Sequence, residues 1–201
     1  MITIVDYGVG NIGALTNMFD YIGVDCVTSS EPSAIAVAER LLLPGVGAFD
    51  KAMSELRDRS LVKPLQAAVA NGTPLLGICL GMQLLARRSD EGSEAGLHLL
   101  EADVLRIPQP DPGLKVPHMG WAEPTIARTN SLFPTKTGGE RFYFAHSYHV
   151  VCDDEQDVVA TLEYGAVLTC AVQRANVYGA QFHPEKSHRY GMRVLKAFAE
   201  V

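Results

Sequence analysis

Leu75–Leu85 reads LLGICLGMQLL and places Cys79 between two glycines, where an apolar run passes into a helix-like run. This G-x-C-x-G pattern is typical of a nucleophile elbow, in which a strand turns sharply into a helix and exposes one side chain at the bend. Gly77 and Gly81 lack a Cβ, so they let strand and helix pack closely around a strained residue. The segment therefore predicts a strand, a tight bend at Cys79 and a helix.

A thiol at such a bend lies near a helix N-terminus, where backbone N–H groups favour the thiolate that acts as a nucleophile. The pattern is only moderately specific, because a buried cysteine is also a common core residue. The elbow alone leaves catalytic and structural interpretations of Cys79 equally open.

Strands and helices alternate on the N-terminal side of the elbow. Helical spacing follows the first strand, with apolar residues at Ile12, Leu15, Phe19 and Ile22. This alternation predicts an α/β fold with a mostly parallel sheet flanked by helices on both faces. The predicted strands are Met1–Asp6, Val24–Ser29, Arg40–Leu43 and Thr73–Ile78.

The second half of the chain is dominated by β-like segments, and helical spacing returns only at Ser187–Ala199. We expect these segments to add antiparallel strands to the sheet. Because no linker-like stretch divides the chain, residues 1–201 are predicted to form a single domain. The segments are Glu101–Ile107, Arg141–Val151, Val158–Glu163, Val167–Gln173 and Val177–His183.

The composition argues against several classes of partner. The 201 residues carry a formal net charge of −6 without a basic cluster, which disfavours nucleic acid and anionic membranes as partners. No apolar run is long enough to span a bilayer, and the N-terminus lacks the pattern of a secretory signal. The four cysteines show neither zinc-binding nor disulfide-framework spacing. These features predict a cytoplasmic protein without a metal or cofactor.

A nucleophilic thiol needs a base that is oriented by a third group. His183-Pro184-Glu185 offers such a pair, since residues i and i+2 of an extended segment point to the same side. Pro184 favours an extended conformation at His183 and stiffens the pair. A lone histidine at a strand end is more often structural, but its combination with the elbow favours catalysis.

Gly77–Gln83 and Phe182–Ser187 together resemble the class I (triad) glutamine amidotransferases. Within them the chain is most similar, from end to end, to the glutaminase subunits of imidazole glycerol phosphate synthases. The segments that carry this second resemblance are Asp6–Asn11, Pro44–Phe49, Pro117–Trp121 and Tyr143–Tyr148.

The resemblance implies a Cys79–His183–Glu185 triad. Cys79 would attack the side-chain amide of L-glutamine, His183 would act as base and then as acid, and Glu185 would orient the imidazole. Backbone N–H groups at Leu80 and at Val46 and Gly47 would form the oxyanion hole.

The resemblance also implies residues that bind glutamine. Gln83 and Glu91, with Ser147 and Tyr148 from a later strand, would hold the substrate, and Glu91 would pair with its ammonium group. Without the resemblance, Gln83 is better explained as a helix-surface residue and Glu91 as a solvated loop charge. Ser147 and Tyr148 lie in an aromatic strand of the kind that usually packs a core.

A glutaminase alone would only waste glutamine, so its ammonia must be used by another protein. The resemblance implies a heterodimer with a cyclase subunit of (β/α)8-barrel fold, which makes imidazole glycerol phosphate and aminoimidazole carboxamide ribotide in L-histidine biosynthesis. The predicted interface residues are Asn11, Trp121 and Lys186. Ordinary core packing for Trp121 and an unpaired surface position for Lys186 are the alternatives.

Two departures from the family pattern leave alternatives open. Ala122 follows Trp121 where an amide side chain is common, and Gly13-Ala14 stand where a longer side chain is expected. A paralogous glutaminase that supplies a different synthase is therefore an alternative. A cysteine hydrolase of related fold and a non-enzymatic scaffold with a vestigial site are the others.

Overall fold

The computed structural model describes residues 1–109, 111–135 and 138–201. Its helices are α1 (Ile12–Ile22), α2 (Pro32–Ala36), α3 (Phe49–Asp58), α4 (Val62–Ala70), α5 (Leu80–Leu84) and α6 (His188–Ala199), with 3-10 turns at Glu155–Asp157 and Pro184–Lys186. No helix within these ranges is long and apolar enough to cross a membrane. Its strands are β1 (Ile2–Val5), β2 (Cys26–Ser29), β3 (Leu41–Leu43), β4 (Leu75–Ile78), β5 (Ala102–Arg106), β6 (His118–Ala122), β7 (Thr125–Ile126), β8 (Phe142–His146), β9 (Tyr148–Cys152), β10 (Val158–Glu163), β11 (Val167–Arg174) and β12 (Val177–Ala180).

The parallel part of the sheet runs in the order β2, β1, β3, β4 and β12. The predicted parallel sheet is therefore confirmed, but β12 was expected among the antiparallel additions and instead pairs parallel to β4. All four of its residues are buried, which is typical of a central parallel strand covered on both faces. This pairing places Gly179 beside Gly77 and brings the chain after β12 next to the elbow.

Helices cover both faces of the sheet, as the alternating pattern predicts. Successive residues of β3 point to opposite faces: Leu41 and Leu43 pack in one apolar core, and Leu42 packs in the other. The first core includes residues from α3, α4 and α5, and the second includes residues from α1 and α6. Each fully buried leucine contributes roughly 1.5–3 kcal/mol, so β3 is anchored firmly beside the elbow.

Antiparallel strands extend the sheet beyond β12, as predicted. β11 pairs with β12, β10 pairs with β11, and the short β7 forms the edge. β9 also pairs with β11 and carries β5 on its other side. The second half of the chain thus continues the sheet that the first half begins.

The predicted strand Arg141–Val151 is wrong, because the chain bends at Ser147 and divides into β8 and β9. β8 pairs with β6 in a separate two-stranded sheet, which we call the small sheet, while β9 belongs to the main sheet. The predicted strand Val177–His183 is too long, because β12 ends at Ala180. The sequence-based prediction also omitted β6, β7 and α3.

Candidate active site

Cys79 lies at the bend between β4 and α5 in a strained backbone conformation, with φ 54° and ψ −111°. The strand, bend and helix predicted for this segment are confirmed. The flanking glycines are required by close packing: a Cβ on Gly77 would lie 2.6 Å from the Gly81 carbonyl oxygen. A Cβ on Gly81 would lie 1.9 Å from the Leu43 carbonyl oxygen, so β3 and β4 both press against the first turn of α5.

A cavity of about 280 Å³ opens above Cys79. Most of the residues predicted for the site line this cavity. Glu185 lies behind His183, and the interface candidates Asn11 and Trp121 are not part of the lining. Pro117, Ala145 and His146 also line it and were not predicted. The predicted residues in its lining are Val46, Gly47, Cys79, Leu80, Gln83, Glu91, Ser147, Tyr148, His183 and Lys186.

His183 and Glu185 form a buried pair beside the thiol. His183 Nδ1 lies 2.8 Å from Glu185 Oε1, and both side chains are almost fully buried. The contact arises by a different path from the one predicted: only His183 is extended, and Pro184–Lys186 form a 3-10 turn. Because the carboxylate only accepts, Nδ1 carries the proton, which leaves Nε2 to face Cys79.

The surroundings of His183 favour the imidazolium. Burial by itself lowers the pKa of His183, but hydrogen bonds with Cys79 and Glu185 outweigh it and raise that pKa to about 9. Glu185 Oε2 is buried and has no hydrogen-bond partner among the described residues. A buried carboxylate of this kind is stabilised by a cation beside it. At neutral pH the site therefore favours a protonated His183 beside the Cys79 sulfur.

Gln83 is not the helix-surface residue that its position alone suggested. It is buried, and its Nε2 donates to the Tyr148 carbonyl at 3.1 Å and to Gln181 Oε1 at 3.0 Å. Gln181, which sequence reasoning missed, is completely buried, and its Nε2 lies 3.7 Å from Cys79 Sγ. The sequence does contain a signal for Gln181: it lies two residues before His183, just as Glu185 lies two residues after it.

His146 also lines the cavity and was not predicted as a site residue. Its Nδ1 lies 2.8 Å from the Tyr148 carbonyl oxygen and therefore donates to it. Its Nε2 then accepts, and lies 3.4 Å from His118 Nδ1. Burial is the main cause that lowers the pKa of His146, to about 4, so this wall of the cavity is neutral.

The loop after β3 approaches the elbow closely. Tyr7 donates to the Pro44 carbonyl at 2.6 Å, and a Cβ on Gly45 would lie 2.6 Å from the Gly81 backbone nitrogen. Gly47 has φ +97°, a conformation that other residues rarely adopt. The loop carries Val46 and Gly47 into the lining of the cavity, and its Gly45 lies next to Leu80. Leu80 begins α5, and first-turn backbone N–H groups of a helix have no intrahelical acceptor.

Glu91 and Ser147 both line the cavity. Glu91 Oε2 accepts from the backbone N–H of Phe49 at 2.9 Å, so this carboxylate binds the N-terminus of α3 and is not simply solvated. Ser147 occupies the bend between β8 and β9, where its carbonyl accepts from Ile107 N–H at 2.9 Å. Within the described residues, no group of three or more His, Cys, Asp or Glu side chains could hold a metal ion.

Comparison with known proteins assigns the family. Residues 3–200 match the glutamine amidotransferase class-I family. The chain belongs to the class-I glutamine amidotransferases. It is 43% identical over 199 residues to imidazole glycerol phosphate synthase subunit HisH 2 of Methanococcus maripaludis, covering 98% of each chain. It is 48% identical to subunit HisH of Lacticaseibacillus casei, covering 100% of this chain and 96% of that one.

Solved structures of low sequence identity share the fold of this class-I glutamine amidotransferase. A crystal structure titled glutamine amidotransferase aligns with a TM-score of 0.77 at 19% identity and covers 100% of both chains. PurLQS from Thermotoga maritima aligns with a TM-score of 0.75 at 18% identity, covering 99% of this chain and 97% of that one. The mostly parallel sheet with antiparallel additions is thus the class-I amidotransferase fold.

Two of the three predicted interface residues of this amidotransferase lie together beside the cavity. Trp121 is 39% exposed, so it is not an ordinary core residue, and its ring stacks on His188 with centroids 5.3 Å apart. Tyr143 contacts both predicted residues: Trp121 packs edge-on against it, and Lys186 Nζ lies 5.4 Å from its ring centroid. Asn11 caps α1, where its side chain accepts from Ala14 N–H.

The stability of this amidotransferase should fall on acidification. Burial lowers the pKa values of His118, His146 and His149 below their usual 6.5, so folding opposes their protonation. The contribution of each is complete above about pH 6.5 and is lost as the pH falls below that value, and for His146 the loss extends to about pH 4. His183 acts in the opposite sense: its raised pKa contributes stability below pH 6.5 that is lost through about pH 9.

We therefore expect the highest Tm near pH 6.5, with a fall on the acidic side from the three buried histidines and on the basic side from His183, measured by thermal unfolding at constant ionic strength. His149 Nδ1 has no hydrogen-bond partner among the described residues, which makes His149→Asn the mildest way to remove one titrating group. That variant should show a shallower loss of Tm between pH 7 and 5. If the Tm of this variant fell between pH 7 and 5 as steeply as that of the unsubstituted chain, His149 would not be one of the groups that destabilise the fold on protonation.

Proposed function

We propose that this chain is the glutaminase subunit of an imidazole glycerol phosphate synthase, forming one domain over residues 1–201. It hydrolyses L-glutamine to glutamate and ammonia. One observation carries the proposal: a strained cysteine lies beside a buried His183–Glu185 pair in the lining of a cavity of amino-acid size. The full-length similarity to proteins named HisH supports the assignment to that synthase.

The first half of the reaction forms a thioester. The Cys79 thiolate attacks the side-chain amide carbon of glutamine, and the C–S bond forms as the carbonyl oxygen takes up negative charge. Backbone N–H groups of Leu80 and of the Val46–Gly47 loop stabilise this oxyanion. The His183 imidazolium then protonates the departing nitrogen, the C–N bond breaks, and ammonia leaves.

The second half regenerates the thiolate. His183, now neutral, takes a proton from water as that water attacks the thioester carbon. Collapse of the second tetrahedral intermediate breaks the C–S bond and leaves a carboxyl group, which loses its proton to solvent as glutamate departs, while His183 remains protonated beside the thiolate. Glu185 accepts a hydrogen bond from His183 Nδ1–H throughout, so that Nε2 always faces the reacting atoms.

Glutamine recognition uses the charge distribution of the cavity. Glu91 pairs with the α-ammonium group, and the Ser147–Tyr148 segment holds the α-carboxylate end. Gln83 orients the side-chain amide from the floor, where its own position is fixed by Tyr148 and Gln181. L-Glutamine is the proposed substrate, and no cofactor takes part in these steps.

The ammonia is passed to a second subunit. We propose a heterodimer with a cyclase subunit of (β/α)8-barrel fold in the cytoplasm, where ammonia enters imidazole glycerol phosphate and aminoimidazole carboxamide ribotide is released in L-histidine biosynthesis. Trp121 and Lys186 are exposed and both contact the half-buried Tyr143, and Asn11 is proposed to join the same interface.

The test pairs the purified chain with the cyclase subunit from the same organism. Glutamate release from glutamine should rise when the cyclase and its ribotide substrate are added, and imidazole glycerol phosphate should form at the same rate. Trp121→Ala should reduce this stimulation, whereas Tyr21→Ala, which removes an exposed aromatic residue from α1, should not. Peptidase activity without any partner, or stimulation only by a different synthase, would overturn the proposal.

A further inference from the structure

Gln181 occupies a position that the proposed triad leaves unused. It follows β12 directly, and its side chain is completely buried next to the sulfur of Cys79. A buried amide is costly unless its donors and acceptor are paired. Its known partners are Gln83 Nε2 at 3.0 Å and Cys79 Sγ at 3.7 Å. This burial would be poorly explained by packing alone.

The orientation of the Gln181 amide follows from its neighbours. The Tyr148 carbonyl can only accept, so the Gln83 atom 3.1 Å from it must be the nitrogen. That nitrogen is also 3.0 Å from Gln181, so the Gln181 atom facing it must be the oxygen. The Gln181 nitrogen is then turned toward Cys79, and its N–H donates to the sulfur.

An N–H donor at this place favours the thiolate, because hydrogen bonding to the charged form stabilises that form. It also limits rotation of the sulfur, whose other polar neighbours include the Ala145 carbonyl at 4.0 Å. We propose that Gln181 is a catalytic residue that donates a hydrogen bond to the Cys79 thiolate and holds it in the attacking position.

The same amide joins the nucleophile to the substrate wall. Gln181 is bonded to Gln83, which lines the cavity, and Gln83 is bonded to the Tyr148 carbonyl. His146 Nδ1 donates to that carbonyl as well, so Tyr148 is held from two sides. A chain of hydrogen bonds therefore runs from the reacting sulfur to the strand proposed to bind glutamine.

The test uses Gln181→Met, which keeps the length and neutrality of the side chain and removes the N–H. Alkylation of Cys79 by iodoacetamide, followed by peptide mass spectrometry, should be about tenfold slower at pH 7. The midpoint of its pH profile should move upward by about one unit. For glutamine turnover in the assembled complex, kcat should fall by about tenfold or more, with little change in KM.

The matched control is Gln66→Met, because Gln66 on α4 also donates from its amide to a backbone carbonyl, that of Leu97, but lies outside the cavity lining. It should leave alkylation and turnover unchanged. If Gln181→Met does not fold, the wild-type protein still decides: the side-chain amide resonance of Gln181 should shift with the same pH midpoint as alkylation. An unchanged alkylation profile in the variant, or a pH-independent resonance, would overturn the proposal.

The inference rests on the proposed glutaminase function only in the measurement of kcat for glutamine turnover. Alkylation and the amide resonance need neither glutamine nor a partner. A Gln181 effect on alkylation without any glutamine turnover would retain the hydrogen bond and reject the glutaminase. Glutamine turnover by the wild-type complex, together with an alkylation profile that Gln181→Met does not alter, would retain the glutaminase and reject the hydrogen bond.

Discussion

Replacing Cys79 with alanine should abolish glutamine-dependent synthesis by the complex and leave ammonium-dependent synthesis intact. Without the thiolate no thioester can form, so glutaminase activity should fall by at least about three orders of magnitude. The cyclase reaction needs only ammonia, which ammonium salts supply directly. The measurement compares product formation from glutamine and from ammonium chloride at a pH where free ammonia is present.

Cys26→Ala is the control for this substitution, because Cys26 lies on β2, outside the cavity lining. It should retain both activities, and a glutamine-like electrophile should still label Cys79 in it. A Cys79→Ala complex that stays inactive with ammonium would show that the division of labour is wrong. Selective labelling of Cys26, Cys152 or Cys170 in the wild type would show that the nucleophile is misassigned.

Replacing Gly81 with alanine should cause the largest loss of stability among the single substitutions considered. The new Cβ would lie 1.9 Å from the Leu43 carbonyl oxygen; its position is fixed by the Gly81 backbone and the oxygen is itself a backbone atom, so no side-chain rotation relieves the clash. Relief requires α5 to separate from β3, which opens the main core at its centre. We expect destabilisation above about 4 kcal/mol, the range of severe core defects, or failure to fold.

Gly13→Ala provides the matched comparison, because a Cβ at Gly13 on α1 meets no atom within 4 Å. That substitution should leave stability unchanged or raise it by about 0.5–1 kcal/mol through helix propensity. Urea unfolding of both variants gives the two free energies. A Gly81→Ala chain as stable as Gly13→Ala would mean that the elbow does not pack as described.

The features that sequence predicted well are those encoded locally. The G-x-C-x-G bend and the His183–Glu185 contact each depend on residues a few positions apart, and helical spacing marks α1 directly. The contact formed even though its predicted extended backbone is a 3-10 turn, because a two-residue separation permits both geometries. Local chemistry was sufficient there.

The features that sequence missed depend on partners far along the chain. Nothing within Val177–Ala180 reveals that this strand pairs with β4, about a hundred residues earlier, and is parallel to it. His118–Ala122 is a strand because Phe142–His146 pairs with it, and Gly120 at φ +146° weakens its local pattern. Gln181 gained a role from Gln83 and Cys79, which only the folded chain brings near.

The chain bends at Ser147 from the small sheet into the main sheet, and the cavity lies where these two sheets meet. The segment that carries the base is hydrogen-bonded to β8 of the small sheet. His183 N–H donates to Tyr143 O, and Ser187 Oγ accepts from Tyr143 N–H. The nucleophile is anchored in the main sheet between β4 and α5. Trp121 packs against Tyr143, so a partner bound at Trp121 would contact the residue whose backbone holds His183 and Ser187.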